Sequence, residues 1–163
     1  MLAAIAATGY RRNALAAALA PASLAAETSE FTISNITDFH GYWEETKREP
    51  GAARLKCAID KAAEGRTHIL TSSGDNIGAS PFASMLLDDA PTLKILNLMN
   101  LQVSALGNHE LDQGAQDYET RVTNAADFDY LAANAQTLKN TKDYVIKELD
   151  GAKVAFVGTI TDD

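Results

Sequence analysis

Six side chains stand where their types and spacing could do chemistry: Asp38, His40, Asp75, Asn108, His109 and Asp112. Asp38 and His40 lie two apart in "ITDFHG", so a strand running through both would turn their side chains the same way. A carboxylate and an imidazole on one side make a site for a first-row divalent metal. Asp75 sits in "GDNIG", where the preceding glycine permits a tight approach and a carboxylate can bridge two cations. Asn108, in "ALGNHELDQG", offers an amide oxygen that ligates without adding charge. His109 and Asp112 lie three apart at the start of an expected helix, close enough to meet across a turn. A carboxylate orients an imidazole and stabilises its protonated form, which suits a proton donor to a leaving oxygen. Glu110, between them, could support the site residues from behind but is expected to face solvent or to serve the structure.

Singly, each of these residues has an ordinary explanation as a turn or helix-cap residue. Their placement among the predicted elements argues otherwise. "FTISNIT" (31–37) reads as a β-branched strand that runs into "DFHG". "EPGAARLKCAIDKAAEGR" reads as a helix, with Pro50 near its start, Leu55 and Ile59 on one face and Gly65 as its stop. "HILTSS" (68–73) is a second strand ending in "GDNIG". "SPFASMLLDD" and "APTLKILNLMN" are two helical stretches split by Pro91, and "LQVSALG" is a third strand ending in "NHE". "AQDYETRVTNA" is helical, "FDYLAANA" is a fourth strand, and "DYVIKELDGAKVAFVGTIT" is a hairpin turning at Asp150-Gly151. This alternation predicts an α/β fold with parallel strands and crossover helices. Ligands of such sheets sit at the carboxyl ends of the strands, which is where the chemistry-bearing residues fall three times in succession.

The 163 residues suit about one domain, and the apolar share of 46% and charged share of 22% are those of a globular chain. The net charge of −8, with no basic cluster beyond Arg11-Arg12, argues against a nucleic-acid polymer as partner. An acidic protein that handles phosphates needs cations to attract them. Cys57 is the single cysteine, which excludes an intramolecular disulfide and a cysteine-based metal site. "DFHGYW" is no Gly-rich phosphate loop, which argues against a metal-free doubly wound nucleotide-binding domain.

"RRNALAAALAPASLAAETSE" has the basic start, short apolar stretch and small residues of a secretory signal peptide, with Ser23-Leu24-Ala25 as its cleavage site. A leader is therefore expected over 1–25, with a secreted, periplasmic or cell-surface product; the apolar stretch is too short for a stable membrane anchor. "MLAAIAATG", ahead of the arginine pair, has no explanation in this scheme.

"ITDFHG", "GDNIG", "ALGNHELDQG", "LAANA" and "DGAKVAFVGTIT" resemble, in order, successive blocks of the bacterial secreted 5′-nucleotidases. These belong to the calcineurin-like metallophosphoesterases, with UDP-sugar hydrolases and cyclic-nucleotide phosphodiesterases. The similarity covers about residues 31–161, and its most specific element is Gly-Asn-His-Glu with an aspartate downstream. The resemblance implies a four-layer α/β/β/α sandwich and two divalent ions (Zn, Mn, Fe or Co). It implies that Asp38 and His40 bind the first ion, that Asp75 bridges, that Asn108 binds the second, and that His109 and Asp112 form the catalytic pair. The implied reaction is hydrolysis of phosphate monoesters, chiefly 5′-nucleotides, by a hydroxide that two cations generate. UDP-sugar or 2′,3′-cyclic-nucleotide hydrolysis and a non-catalytic binding module are the alternatives.

Family members bring further histidine ligands and a nucleoside-binding domain from later segments, whereas no histidine follows His109 here. His68 opens the strand whose far end carries Asp75, about 20 Å away at strand rise, and is expected to be structural. Residues 26–163 are therefore expected to be the N-terminal portion of a metallophosphoesterase domain, with an exposed sheet edge and little turnover of its own.

Overall fold

The computed structural model describes residues 2–6 and 28–161. Four strands form a parallel sheet in sequence order: β2 (Phe31–Ile36), β3 (Thr67–Ser72), β4 (Leu101–Ala105) and β5 (Asp129–Leu131). Between them run α1 (Gly51–Ala62), then α2 (Phe82–Met85) and α3 (Ala90–Leu98), then α4 (Ala115–Asp117) and α5 (Thr123–Ala125). Crossovers of one hand between parallel strands laid down in sequence order place the connecting segments on one face of a sheet. One core accordingly joins Ile36 and Leu70 of the sheet to Ile59, Leu93, Leu96 and Val122 of the helical segments.

The opposite face is covered by a second sheet. β6 (Tyr144–Leu149) and β7 (Ala152–Gly158) form the expected hairpin, and β1 (Leu2–Ala6) pairs antiparallel with β7 along its outer edge. Asp150 and Gly151 turn the hairpin at φ 49° and 77°, the two successive positive values that match strand twist. A second core fills the space between the sheets: Ile69, Val103 and Leu131 meet Leu149, Val154 and Phe156. Strand alternation explains the division, since Ile69 points to the second sheet and its neighbour Leu70 to the helices. Helices, parallel sheet and antiparallel sheet are three layers of the α/β/β/α sandwich. Of the leader expected over 1–25, residues 1 and 7–25 lie outside the described residues.

Three local expectations are corrected. Pro91 does not split the helices: it lies within the first turn of α3, where its missing N–H is not needed. The break falls at Asp88 and Asp89, both in the left-handed region at φ 50° and 58°. The strand expected over "FDYLAANA" stops at Leu131, because the chain then bends to the second sheet, Ala133 donating to the Gly158 carbonyl at 2.8 Å. The helix expected over "AQDYETRVTNA" is interrupted by a π-turn, Tyr118–Val122.

Candidate metal centre

The centre lies where the loops after β2, β3 and β4 meet. The strand does not persist through Asp38 and His40, as the spacing suggested: it ends at Ile36, and both residues take left-handed backbone conformations, φ 52° and 45°. What aligns them is the loop after β3. Asp38, His40 and Gly41 donate their N–H groups to the carbonyls of Gly74, Asp75 and Asn76, at 3.2, 3.0 and 3.1 Å. The two loops thus keep pairing after the ladder ends. Phe39 points into the core while the side chains on either side point out.

Asp38, His40 and Asp75 each present a ligand atom, and those atoms lie within 4.8 Å of one another. His40 Nδ1 is 2.8 Å from the Gly78 carbonyl, so Nδ1 carries the proton and Nε2 presents its lone pair, 3.8 Å from Asp38 Oδ1. Asp75 Oδ1 accepts the His109 N–H at 3.0 Å. Two carboxylate donors and an imidazole fixed by a carbonyl are a fitting set for a divalent first-row cation.

The loop after β4 is held against Asp75 by close packing. Gly107 leaves no room for a side chain: a Cβ there would lie 2.2 Å from Asp75 Oδ1. Asn108 follows, exposed, between two residues whose backbones touch Asp75. It lines an open cavity of about 530 Å³ with Leu111, Asn134 and Ile160. His109 begins a short 3-10 turn, His109–Leu111, rather than the helix expected there. That tighter turn still brings His109 Nδ1 to 3.0 Å from Asp112 Oδ2. The bond to Asp112 holds the His109 pKa above its ordinary value, against the opposing effect of burial, with smaller contributions from Asp75 and Glu110. The His40 and His109 rings meet edge to face, 5.0 Å between centres.

Sequence reasoning placed Glu110 in solvent or structure, and the structure buries it at 2% exposure. Its Oε1 accepts the Asn76 N–H at 2.8 Å and the Asn76 side-chain amide at 3.1 Å. Its Oε2 accepts the N–H of Asp75 at 3.0 Å and of Gly107 at 2.8 Å. Burial pushes this carboxyl up to about 7, while the N–H bonds from Asn76, Gly107 and Asp75 pull the other way. Asn76, which sequence reasoning did not single out, is fully buried and binds Ser72 and Ser104 through its side chain. The available signal was a serine near the carboxyl end of each of β3 and β4, Ser72 in THILTS and Ser104 in LQVSA. His68 stands apart from this centre, with Nε2 3.0 Å from Ser34 Oγ on the neighbouring strand.

Fold and site together define a metallophosphoesterase-type sandwich whose loops bearing Asp38, His40 and Asp75 lie at the carboxyl ends of its parallel strands. Comparison with known proteins gives the particular family. No family model matches the chain. The cell wall protein Lmo0130 of Listeria monocytogenes is 34% identical over 86% of this chain and 23% of its own length. A 5′-nucleotidase of Vibrio parahaemolyticus is 32% identical over 83% of this chain and 26% of its own. Among solved structures, the NAD nucleotidase of Haemophilus influenzae superposes with a TM-score of 0.67. The match covers 80% of this chain and 26% of that one, and at 22% identity it speaks for the fold alone. The chain belongs to the 5′-nucleotidase family of metallophosphoesterases and corresponds to the N-terminal part of its members. It spans about a quarter of the length of the two relatives named here.

Proposed function

We propose that this chain forms the N-terminal portion of the metal-binding domain of a hydrolase that cleaves phosphate monoesters, 5′-nucleotides first among them, to nucleoside and phosphate. The observation that carries the reading is the convergence of Asp38, His40 and Asp75, with the His109–Asp112 pair beside them, in a chain of this family. Asp38 and His40 would hold one divalent ion, Asn108 a second, and Asp75 would bridge them. Such ions supply positive charge for a phosphoryl group and lower the pKa of water.

The protein's own contribution is orientation and a proton. The Gly78 carbonyl fixes His40 with Nε2 outward. Asp112 binds His109 Nδ1, leaving Nε2 as the atom that can donate to the departing nucleoside oxygen, and the raised pKa keeps that proton in place. A positive centre also removes the difficulty of drawing a phosphate ester to a chain of net charge −8.

UDP-sugar or 2′,3′-cyclic-nucleotide hydrolysis on the same scaffold is the alternative. An extracytoplasmic location accords with the leader expected at 1–25; among the described residues no helix is long and apolar enough to cross a membrane. Four ligand side chains are fewer than two closed shells require, so the 163-residue chain by itself is expected to turn over slowly.

The test is metal content followed by activity. Residues 26–163, dialysed against Mn or Zn and analysed for bound metal, should hold ions that Asp75→Asn releases. In a full-length enzyme carrying this segment, the same substitution should abolish phosphate release from a 5′-nucleotide. Comparable turnover in that variant overturns the two-metal assignment.

A further inference from the structure

Asp89 stands at the N-terminal end of α3 and yet does not cap it. Its side chain makes no hydrogen bond to the free N–H groups of the helix; its Oδ2 instead accepts the N–H of Gly78 at 3.0 Å. The residue is 7% exposed, and its Oδ1 has no hydrogen-bond partner among the described residues. Its backbone is anchored on both sides: its N–H donates to the Ser84 carbonyl at 3.0 Å, and its own carbonyl accepts from Leu93 at 3.1 Å. A buried carboxylate that satisfies only one of its oxygens is costly. The start of a helix does not ask for it, since a side chain reaching back to α3 would serve the helix better. Arg121 lies close enough to interact with it electrostatically, but the side-chain hydrogen bond that Asp89 makes goes to Gly78.

Gly78 touches both parts of the centre. Its carbonyl faces His40 Nδ1 at 2.8 Å and accepts the Ser80 hydroxyl at 3.2 Å. Its backbone takes φ 76°, and a Cβ there would lie 2.5 Å from the His109 carbonyl oxygen and 2.6 Å from Asp112 Oδ2. Any rotation of this residue moves the carbonyl that orients His40 and presses on the His109–Asp112 pair. The N–H bond to Asp89 is what fixes it from behind.

We propose that Asp89 is a positioning residue: it pins Gly78 so that the Gly78 carbonyl holds His40 with Nδ1 protonated and Nε2 free. The chain of contacts runs from Asp89 through Gly78 to His40, and none of it requires Asp89 to meet substrate or metal. Its consequence for metal affinity rests on His40 being a ligand, as proposed above; its consequence for the His40 tautomer does not.

The experiment uses the 163-residue chain uniformly labelled with nitrogen-15 and assigned, so that histidine rings and the Gly78 amide are both read. Long-range proton–nitrogen NMR at pH 8 reads the His40 tautomer, and calorimetric titration with Zn reads affinity. In Asp89→Ala the His40 ring should pass from the Nδ1–H tautomer to a mixture, and Zn should bind about tenfold more weakly or worse. Asp89→Asn keeps the shape and an acceptor oxygen, so the Nδ1–H tautomer should persist. Its Gly78 amide proton should move upfield, because a neutral oxygen is the weaker acceptor. An unchanged His40 tautomer in folded Asp89→Ala overturns the proposal. Should Asp89→Ala fail to fold, Asp89→Asn decides: an upfield Gly78 amide supports the contact, and an unmoved one overturns it. Failure of the unaltered chain to bind Zn would overturn the metal reading alone, since the tautomer measurement still answers for Asp89.

Discussion

Glu110 Oε2 accepts the Asp75 N–H at 3.0 Å, so a fully buried carboxylate on the loop after β4 sets the backbone of the residue proposed to bridge the metals. The same carboxylate binds Asn76 and Gly107 and thereby joins two of the three loops of the centre. All four of its partners are donors. Replacing one carboxylate oxygen by an amide NH₂ therefore sets donor against donor. Glu110→Gln is expected to lower stability by about 3 kcal/mol, with Glu110→Ala at least as severe. Urea unfolding with an unchanged m-value is the measurement; a loss below about 1 kcal/mol would mean that the loops hold without it.

Gly107→Ala tests close packing against Asp75 without removing any ligand. The added methyl meets Asp75 Oδ1 at 2.2 Å, and overpacking of this kind costs about 1–3 kcal/mol. The variant should fold and bind Zn or Mn about tenfold more weakly in a calorimetric titration. Unaltered affinity would show that Asp75 does not need its present position.

Asp112→Asn removes the group that holds the His109 pKa up and leaves Asp38, His40 and Asp75 in place. In a full-length enzyme carrying this segment, kcat should fall about 10²–10⁴-fold while bound metal, counted by elemental analysis, stays the same. Loss of metal together with activity would assign Asp112 to the metal shell instead.

Tyr118 gives the fold an alkaline limit. Its fully buried hydroxyl is 2.8 Å from Thr141 Oγ1, and burial pushes its pKa up from 10 to about 12, with the Thr141 bond opposing. A raised folded pKa means that this contribution to stability is complete below about 10 and is lost as pH rises through about 12. Tyr118→Phe should cost about 1 kcal/mol at pH 8 through the lost hydrogen bond. In thermal melts at pH 11 that deficit should shrink or reverse.

How much of this was legible in the sequence follows from the range of the interactions. The parallel order, the strand ends bearing Asp38, Asp75 and Asn108, and the turn at Asp150-Gly151 are written in short apolar runs and the polar residues that close them. Period and turn chemistry act over a few residues, so a linear reading captures them. His109 and Asp112 were likewise within reach, because three residues separate them in the chain. The conformations at the centre were not. Asp38 and His40 converge because the loop after β3 binds their backbone, in left-handed geometry that no strand rule supplies. Glu110 looked like a solvent or structural residue because its partners Asp75 and Asn76 lie 35 and 34 residues away. Asp89 looked like the end of a helix, and only packing turned its carboxylate toward Gly78. The sequence by itself determined which chemical groups arrive at the sheet's edge; tertiary structure alone decided how they face one another, because the hydrogen bonds that orient them join segments distant in the chain.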